Sequence, residues 1–211
     1  RHRQRSSAQI MCSQLDKFLE VAAGEVGYIE GPADNQTKYQ KTNQPWCGAF
    51  VNWVAKQAGV KIPNCIYTPA GAKAFAEAKR WQDLATAEPM PGDLAFFDFP
   101  NDGIDRISHI GIVKRVKKNG TVITIEGNTS SDKKGDQRNG GQVARKVRAY
   151  KVKNRGKLQP SLPVFIVGFG RPKFKECKCS TKQNSSQSQT PTQEQEQPQS
   201  QLYTWQTHPA L

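Results

Sequence analysis

Five cysteines occur in the chain, and Cys47 differs from the others in its setting. Pro45-Trp46-Cys47-Gly48 leads directly into a helical pattern, so Cys47 is expected in the first helical turn. Unpaired backbone N–H groups and the helix dipole at such a position favour a thiolate and lower the thiol pKa. Gly48 beside it would let the backbone approach a substrate closely. A buried structural cysteine is the competing reading, since that is the usual fate of a lone cysteine. His109 supplies a partner. It opens the strand-like stretch His109-Ile110-Gly111-Ile112-Val113, whereas His2 and His208 sit near the two ends of the sequence. An imidazole beside a thiol generates the thiolate and later protonates the leaving amine. By itself, a partly buried strand histidine without a role would explain His109 equally well. Glu126 and Asn128 end the following strand-like stretch. Being two apart, they are expected on one side of it. A hairpin between the two stretches would bring both beside His109, where either could accept the second imidazole N–H and fix the tautomer. A polar turn over Gly127–Ser130 is the alternative for this pair.

The elements that must hold these residues follow from periodicity and punctuation. Ile10, Leu15, Phe18, Leu19 and Ala22 recur at helical spacing within 8–28, with Ser6 or Ser7 as cap and Gly24 to Gly27 as stop. Phe50, Val51, Val54 and Ala58 make one face of a second helix from Pro45 to Gly59. Thr68-Pro69 predicts a third, with Thr68 as N-cap and Pro69 at the first position, running through 70–80. After Pro91 the pattern changes. DLAFFDF, HIGIVKRV, TVITIEG, QVARKVRAYKV and PVFIVGFG read as strands bounded by Gly, Asn and Pro. Lys118-Asn119-Gly120-Thr121 is a hairpin turn signal. Helices first and an antiparallel sheet second predict an α+β fold, with N-terminal helices packed on the sheet.

Composition sets the outer limits. The chain has 211 residues, 36% hydrophobic, with a net charge of +13. That suits one compact domain plus non-globular sequence. No run of about 20 apolar residues exists to span a membrane. A basic N-terminal segment over 1–7 lacks an apolar stretch after it, so it does not read as a signal peptide. The catalytic domain is expected over 8–175. A Gln/Ser/Pro-rich linker follows over 176–201, and 202–211 is a tail or the start of a second domain. The odd cysteine count and the Cys177-Lys178-Cys179 spacing form neither a disulfide framework nor a zinc site, so free thiols are expected. The positive field would attract polyanions, or simply keep the protein in solution.

Four stretches together carry a resemblance: PWCGAFVNWVAKQAGV (45–60), PMPGDLAFFDF (89–99), SHIGIVKRV (108–116) and ITIEGNTS (123–130). In this order they resemble the CHAP domains, cysteine- and histidine-dependent amidohydrolases and peptidases of the papain-like superfamily that also holds the NlpC/P60 enzymes. GYIEGPADNQTKY (27–39) is similar to the segment before the cysteine in phage versions. The resemblance spans about 8–170. It implies a papain-like fold, Cys47 as nucleophile, His109 as base and Glu126 as the residue orienting it, with Asn128 assisting or substituting. It implies an upstream polar side chain for the oxyanion hole, with Gln44 as candidate. Some members bind calcium through clustered aspartates. Only Asp34 lies in the corresponding stretch, so neither a metal nor another cofactor is expected.

The implied substrate is bacterial peptidoglycan, with anionic wall polymers as further partners, and the implied place of action is the cell wall. A phage lysin, acting as a monomeric endopeptidase within the wall peptide, is the first expectation. The alternative cut is the amide between N-acetylmuramic acid and L-alanine. The loop 99–108 and the basic stretch 131–157 are expected to shape the cleft. Two rivals remain in view. One is a wall-binding domain without catalysis, against which the intact Cys, His and Glu argue. The other is a nucleic-acid binding module, suggested by seven Lys or Arg and no acid between Arg145 and Lys157. Tyr150 is the single aromatic in that run and no binding motif accompanies it. The run therefore reads as wall affinity or a solvated face, and nucleic acid is not an expected partner.

Overall fold

The computed structural model describes residues 13–100, 102–131, 135–151 and 163–176. The expected caps Ser6 and Ser7, residues 152–157 of the basic run and everything from 177 onward lie outside these residues. Helix α1 is Gln14–Gly24, α2 is Cys47–Ala58 and α3 is Thr68–Glu77. The strands are β1 Trp81–Asp83, β2 Leu94–Phe97, β3 His109–Val116, β4 Thr121–Thr129, β5 Gln142–Ala149 and β6 Ile166–Gly170. They form one six-stranded sheet in the order β1-β6-β2-β3-β4-β5, and every pair is antiparallel. The α+β expectation therefore holds, with the helices preceding the sheet in sequence.

Side chains alternate across a strand, and β2 shows what that does here. Leu94 and Phe96 enter the core shared with the helices. Ala95 and Phe97 enter a second core with Phe99, Val113, Val122, Tyr150 and Phe169. Both faces of the central strand are thus covered, which explains its continuous apolar run. Ile110 and Ile112 of β3 and Ile125 of β4 join the helix-side core with Phe18, Phe50 and Val54. Just before β2, the Pro91-Gly92-Asp93 corner is held by charge. Asp93 is buried and accepts two hydrogen bonds from Arg171, each 2.8 Å, and one from the backbone N–H of Met90.

Several details differ from the sequence reading. Ser13 caps α1, its hydroxyl accepting from the backbone N–H of Asp16 at 3.0 Å. Thr68 lies inside α3, whose N-cap is Tyr67. The Thr68 hydroxyl instead donates to the Ile107 carbonyl at 3.0 Å and pins α3 to the chain just before β3. The short strand β1 has no counterpart in the sequence reading. Three residues are too few to show a period, and its pairing with β6 comes from 85 or more residues away in sequence. Gly59 ends α2 as expected, in the left-handed conformation at φ 69°.

Gly48 has a different purpose from the one its position suggested. A Cβ there would stand 1.9 Å from the Cys65 carbonyl oxygen and 2.9 Å from the Ile66 Cα. The missing side chain lets the first turn of α2 press on the 65–66 backbone. Gly48→Ala forces that contact apart and is expected to lower stability by about 3 kcal/mol or more. A thermal melt within a degree of wild type would contradict this placement of α2.

Candidate active site

Cys47 is the first residue of α2 and is 3% exposed. The segment in front of it is fixed from behind. Trp46 is fully buried, stacks on Tyr39 at 5.3 Å, and donates its indole N–H to Glu30. Tyr39 in turn donates its hydroxyl to Glu25. Its phenol is held well above the ordinary range, by burial first and then by that carboxylate. Gly127 of β4 has no side chain to hold α2 off. A Cβ there would meet Phe50 at 2.6 Å and Trp46 at 2.9 Å. The start of α2 therefore lies against the end of β4.

His109 opens β3 with no solvent exposure, its ring beside both Phe97 and Phe99 at 5.4 and 5.6 Å. Nε2 is 3.0 Å from Glu126 Oε2. An N–H at Nε2 donating to the carboxylate makes Nδ1 the acceptor nitrogen. Nδ1 is buried and makes no hydrogen bond of ordinary geometry. Cys47 nevertheless acts on the ring electrostatically and favours its charged form. Nδ1 is the nitrogen left to face the thiol, and hydrogen bonds that are long without substrate often tighten when it binds. Burial pulls the His109 pKa down, but Cys47 and then Glu126 outweigh it and push the value up to about 9.

Glu126 is fully buried, and four donors reach its carboxylate. Arg148 Nε donates to Oε1 at 2.8 Å and its terminal nitrogen to Oε2 at 2.5 Å. Thr124 donates its hydroxyl to Oε1 at 2.5 Å, and His109 completes the set. Burial alone would raise this carboxyl. The charge and hydrogen bonds of Arg148, followed by those of His109, hold it well below the usual carboxylate range. Gly111, on the neighbouring strand, leaves room for it, since a Cβ there would stand 2.5 Å from Glu126 Cγ.

Arg148 escaped the sequence reading, which took the whole basic run as wall affinity or a solvated face. Within β5 the run alternates. Lys146 and Arg148 are 9% exposed, while Arg145 and Val147 face solvent. Strand alternation was the available signal, because a buried guanidinium needs a buried carboxylate and Glu126 is on the adjoining strand.

Asn128 goes elsewhere than expected. The chain bulges between Glu126 and Thr129, and Asn128 takes φ 54°. A bulge breaks the two-residue alternation on which the shared-side argument rested. Asn128 donates to Asn35 and Asn139 at 3.2 and 2.9 Å and accepts from the Gly141 N–H at 3.2 Å. It ties the segments around 35 and 139–141 together and makes no hydrogen bond to His109.

A cleft of about 270 Å³ opens over Cys47. Gln44, Tyr67, Thr68, Arg106, Ser108 and Arg138 contribute to its walls. Gln44 thus lines the same cleft as Cys47. Cys65, by contrast, is a buried free thiol pushed up to about 12, by burial first and then by Cys47. A thiol in that range stays protonated near neutrality and is a poor nucleophile.

Residues 39–128 match the CHAP domain family. Domains of this family are hydrolases of the cysteine peptidase and amidase type. A comparison with curated proteins returns no match. Among solved structures, the chain is similar to "Ly7917" at 13% identity and a TM-score of 0.43, over 75% of this chain and 62% of that one. It is also similar to an NLP/P60-family protein, described as similar to lipoprotein, from Staphylococcus aureus subsp. aureus Mu50. There the identity is 15% and the TM-score 0.40, over 75% of this chain and 41% of that one.

The site's charges make stability depend on pH at both ends. Glu126 has a folded pKa below its ordinary 4.5, so its contribution is present above that value and lost as pH falls. His109 has a folded pKa of about 9 against an ordinary 6.5. Its contribution is fully present below 6.5 and lost as pH rises through 9. Melting temperatures measured from pH 3 to 10 are expected to fall at both ends. His109→Gln should flatten the basic limb and Glu126→Gln the acidic one; unchanged slopes would contradict the assignment. Arg148→Gln leaves the Glu126 carboxylate buried without its main counter-charge. It is expected to lower stability by about 3 to 5 kcal/mol in denaturant titration.

Proposed function

We propose that the protein hydrolyses an amide bond of bacterial peptidoglycan by thiol catalysis at Cys47. The observation that carries this reading is one arrangement: a cysteine at a helix start, on the wall of a cleft, coupled to a histidine that Glu126 orients. In the proposed reaction the Cys47 proton has passed to His109 Nδ1 before attack, leaving an imidazolium beside a thiolate. The sulfur adds to the amide carbonyl carbon, and the carbonyl oxygen becomes an oxyanion. Backbone N–H groups at the start of α2, with Gln44 beside them, are the candidate donors to it. His109 then gives its proton to the departing amine, leaving a thioester. Water, deprotonated by His109, releases the acid and restores the thiol.

The substrate assignment leans on the CHAP match over 39–128, and on the basic charge that would favour anionic walls. We read the enzyme as a lysin of phage type that acts at the cell wall and cuts within the wall peptide. The amide between N-acetylmuramic acid and L-alanine is the alternative bond. Mass spectrometry of fragments from defined peptidoglycan separates them: a new N-terminal alanine on an intact stem marks the amidase.

Cys47→Ala is expected to abolish turbidity loss of purified walls while keeping a folded circular dichroism spectrum. Lysis by that variant would overturn the mechanism. Chelation provides a second check, because no step above uses a metal. Activity in EDTA should match activity without it, and complete loss would refute a metal-free reaction.

A further inference from the structure

The cleft over Cys47 carries charge of one sign. Arg106 and Arg138 both stand on its walls, and among the described residues no carboxylate lines it. Exposed arginines usually keep their heads in water, so the question is whether these two are held in place. Arg138 is. Its backbone N–H donates to Asp136 Oδ1 at 2.8 Å, as does that of Asn139. Asn128 clasps the same turn through Asn139 and Gly141. The Arg138 side chain is 23% exposed, and its Nε lies 3.3 Å from Asp102 Oδ2. That Nε is buried and makes no hydrogen bond. Asp102 is itself fixed: it accepts from the Ser108 hydroxyl at 2.5 Å and the Ile104 N–H at 2.9 Å. Arg106 lies across the Tyr67 ring at 5.0 Å and donates to the Ile107 carbonyl at 3.1 Å.

Asp102 and Asp136 both act on Arg138 from outside the cleft lining, whereas the lining itself carries the two guanidinium groups and, among the described residues, no carboxylate. A guanidinium is a planar fork whose paired N–H groups match a carboxylate. Holding that fork in place before binding removes part of the ordering cost of a complex. Ser108 precedes His109 and Thr68 faces the same opening, so the cations flank the reacting centre.

We infer that this cleft recognises a free carboxylate on the substrate, close to the scissile amide, with Arg138 and Arg106 as its binding residues. The inference rests on the peptidoglycan reading for its substrate class. A wall stem peptide offers two such groups: the α-carboxylate of a γ-linked D-glutamate and the carboxylate of a terminal D-alanine. The recognising chemistry is the same for both.

The test uses the tetrapeptide L-Ala-γ-D-Glu-L-Lys-D-Ala and two relatives, each with one of these carboxylates converted to a carboxamide. Binding to the full chain carrying Cys47→Ala is measured by calorimetry, and turnover by wild type is followed separately. One of the two amidations is expected to weaken binding about tenfold or more, the scale of a lost charged hydrogen bond. Which one it is identifies the source. Arg138→Gln should erase the difference between acid and amide, Arg138→Lys should keep part of it, and Arg106→Gln should reduce it. Equal binding of all three peptides, no binding of any at millimolar concentration, or discrimination that survives both glutamine variants would overturn the inference. If the discrimination follows the arginines but wild type releases no fragment from purified walls, the carboxylate site stands and the hydrolase reading fails.

Discussion

Glu126 is a carboxylate without solvent exposure, and much of the site depends on keeping it charged. An unpaired carboxylate in that position would take up a proton, or unfold its surroundings to reach water. Arg148 prevents both by contributing a full opposite charge and a two-point hydrogen bond. The ionised carboxylate can then hold one imidazole nitrogen and direct the other away. Three neighbouring strands must be in register for this to work: His109 on β3, Glu126 on β4 and Arg148 on β5. The hairpins are therefore part of the chemistry, since a slip of one residue would turn Glu126 to the opposite face.

Cys47 joins these three from the other layer of the fold. It can do so only because two positions lack side chains. Gly48 lets α2 settle against the 65–66 backbone, and Gly127 lets the same helix start lie against β4. Trp46, locked by Glu30 and Tyr39, fixes where the helix begins. The thiol is thus positioned by rigid contacts behind it, leaving its front to the cleft. Cys65 is close in space but is a different kind of group: enclosed, protonated and in contact with backbone atoms.

What could be read from sequence was whatever local periodicity carries. The helix from 47 to 58 showed its apolar spacing and its glycine stop. The strands at 109 and 121 showed β-branched runs and a turn between them, and this was enough to bring Glu126 toward His109. Arg148 was hidden because a cation in a basic run looks solvated until its strand face and its neighbour are known. Asn128 was misplaced because alternation assumes a regular strand, and a left-handed residue in a bulge has no signature distinguishing it from a polar turn. Gly48 was assigned to substrate access because nothing in the sequence places Cys65 beside it. These misreadings share one origin: each depends on a partner distant in the chain.

The same point bears on the positive charge. A net excess of 13 invites the picture of a uniform field around the molecule. In the folded chain the cations divide by position. Arg148 neutralises Glu126 in the interior, and Arg171 neutralises Asp93 at the corner before β2. Lys146 is mostly buried and donates to the Ser130 carbonyl. None of these can serve as a polyanion surface. Arg145 and Arg115 do face solvent on the sheet, and Arg106 and Arg138 face the cleft. Charge outside the cleft acts on encounter with an anionic wall and is screened within about 10 Å at ordinary salt. Charge inside it acts on whichever group is brought to Cys47, at short range and with less screening. Selectivity should therefore follow the two cleft arginines far more than the total.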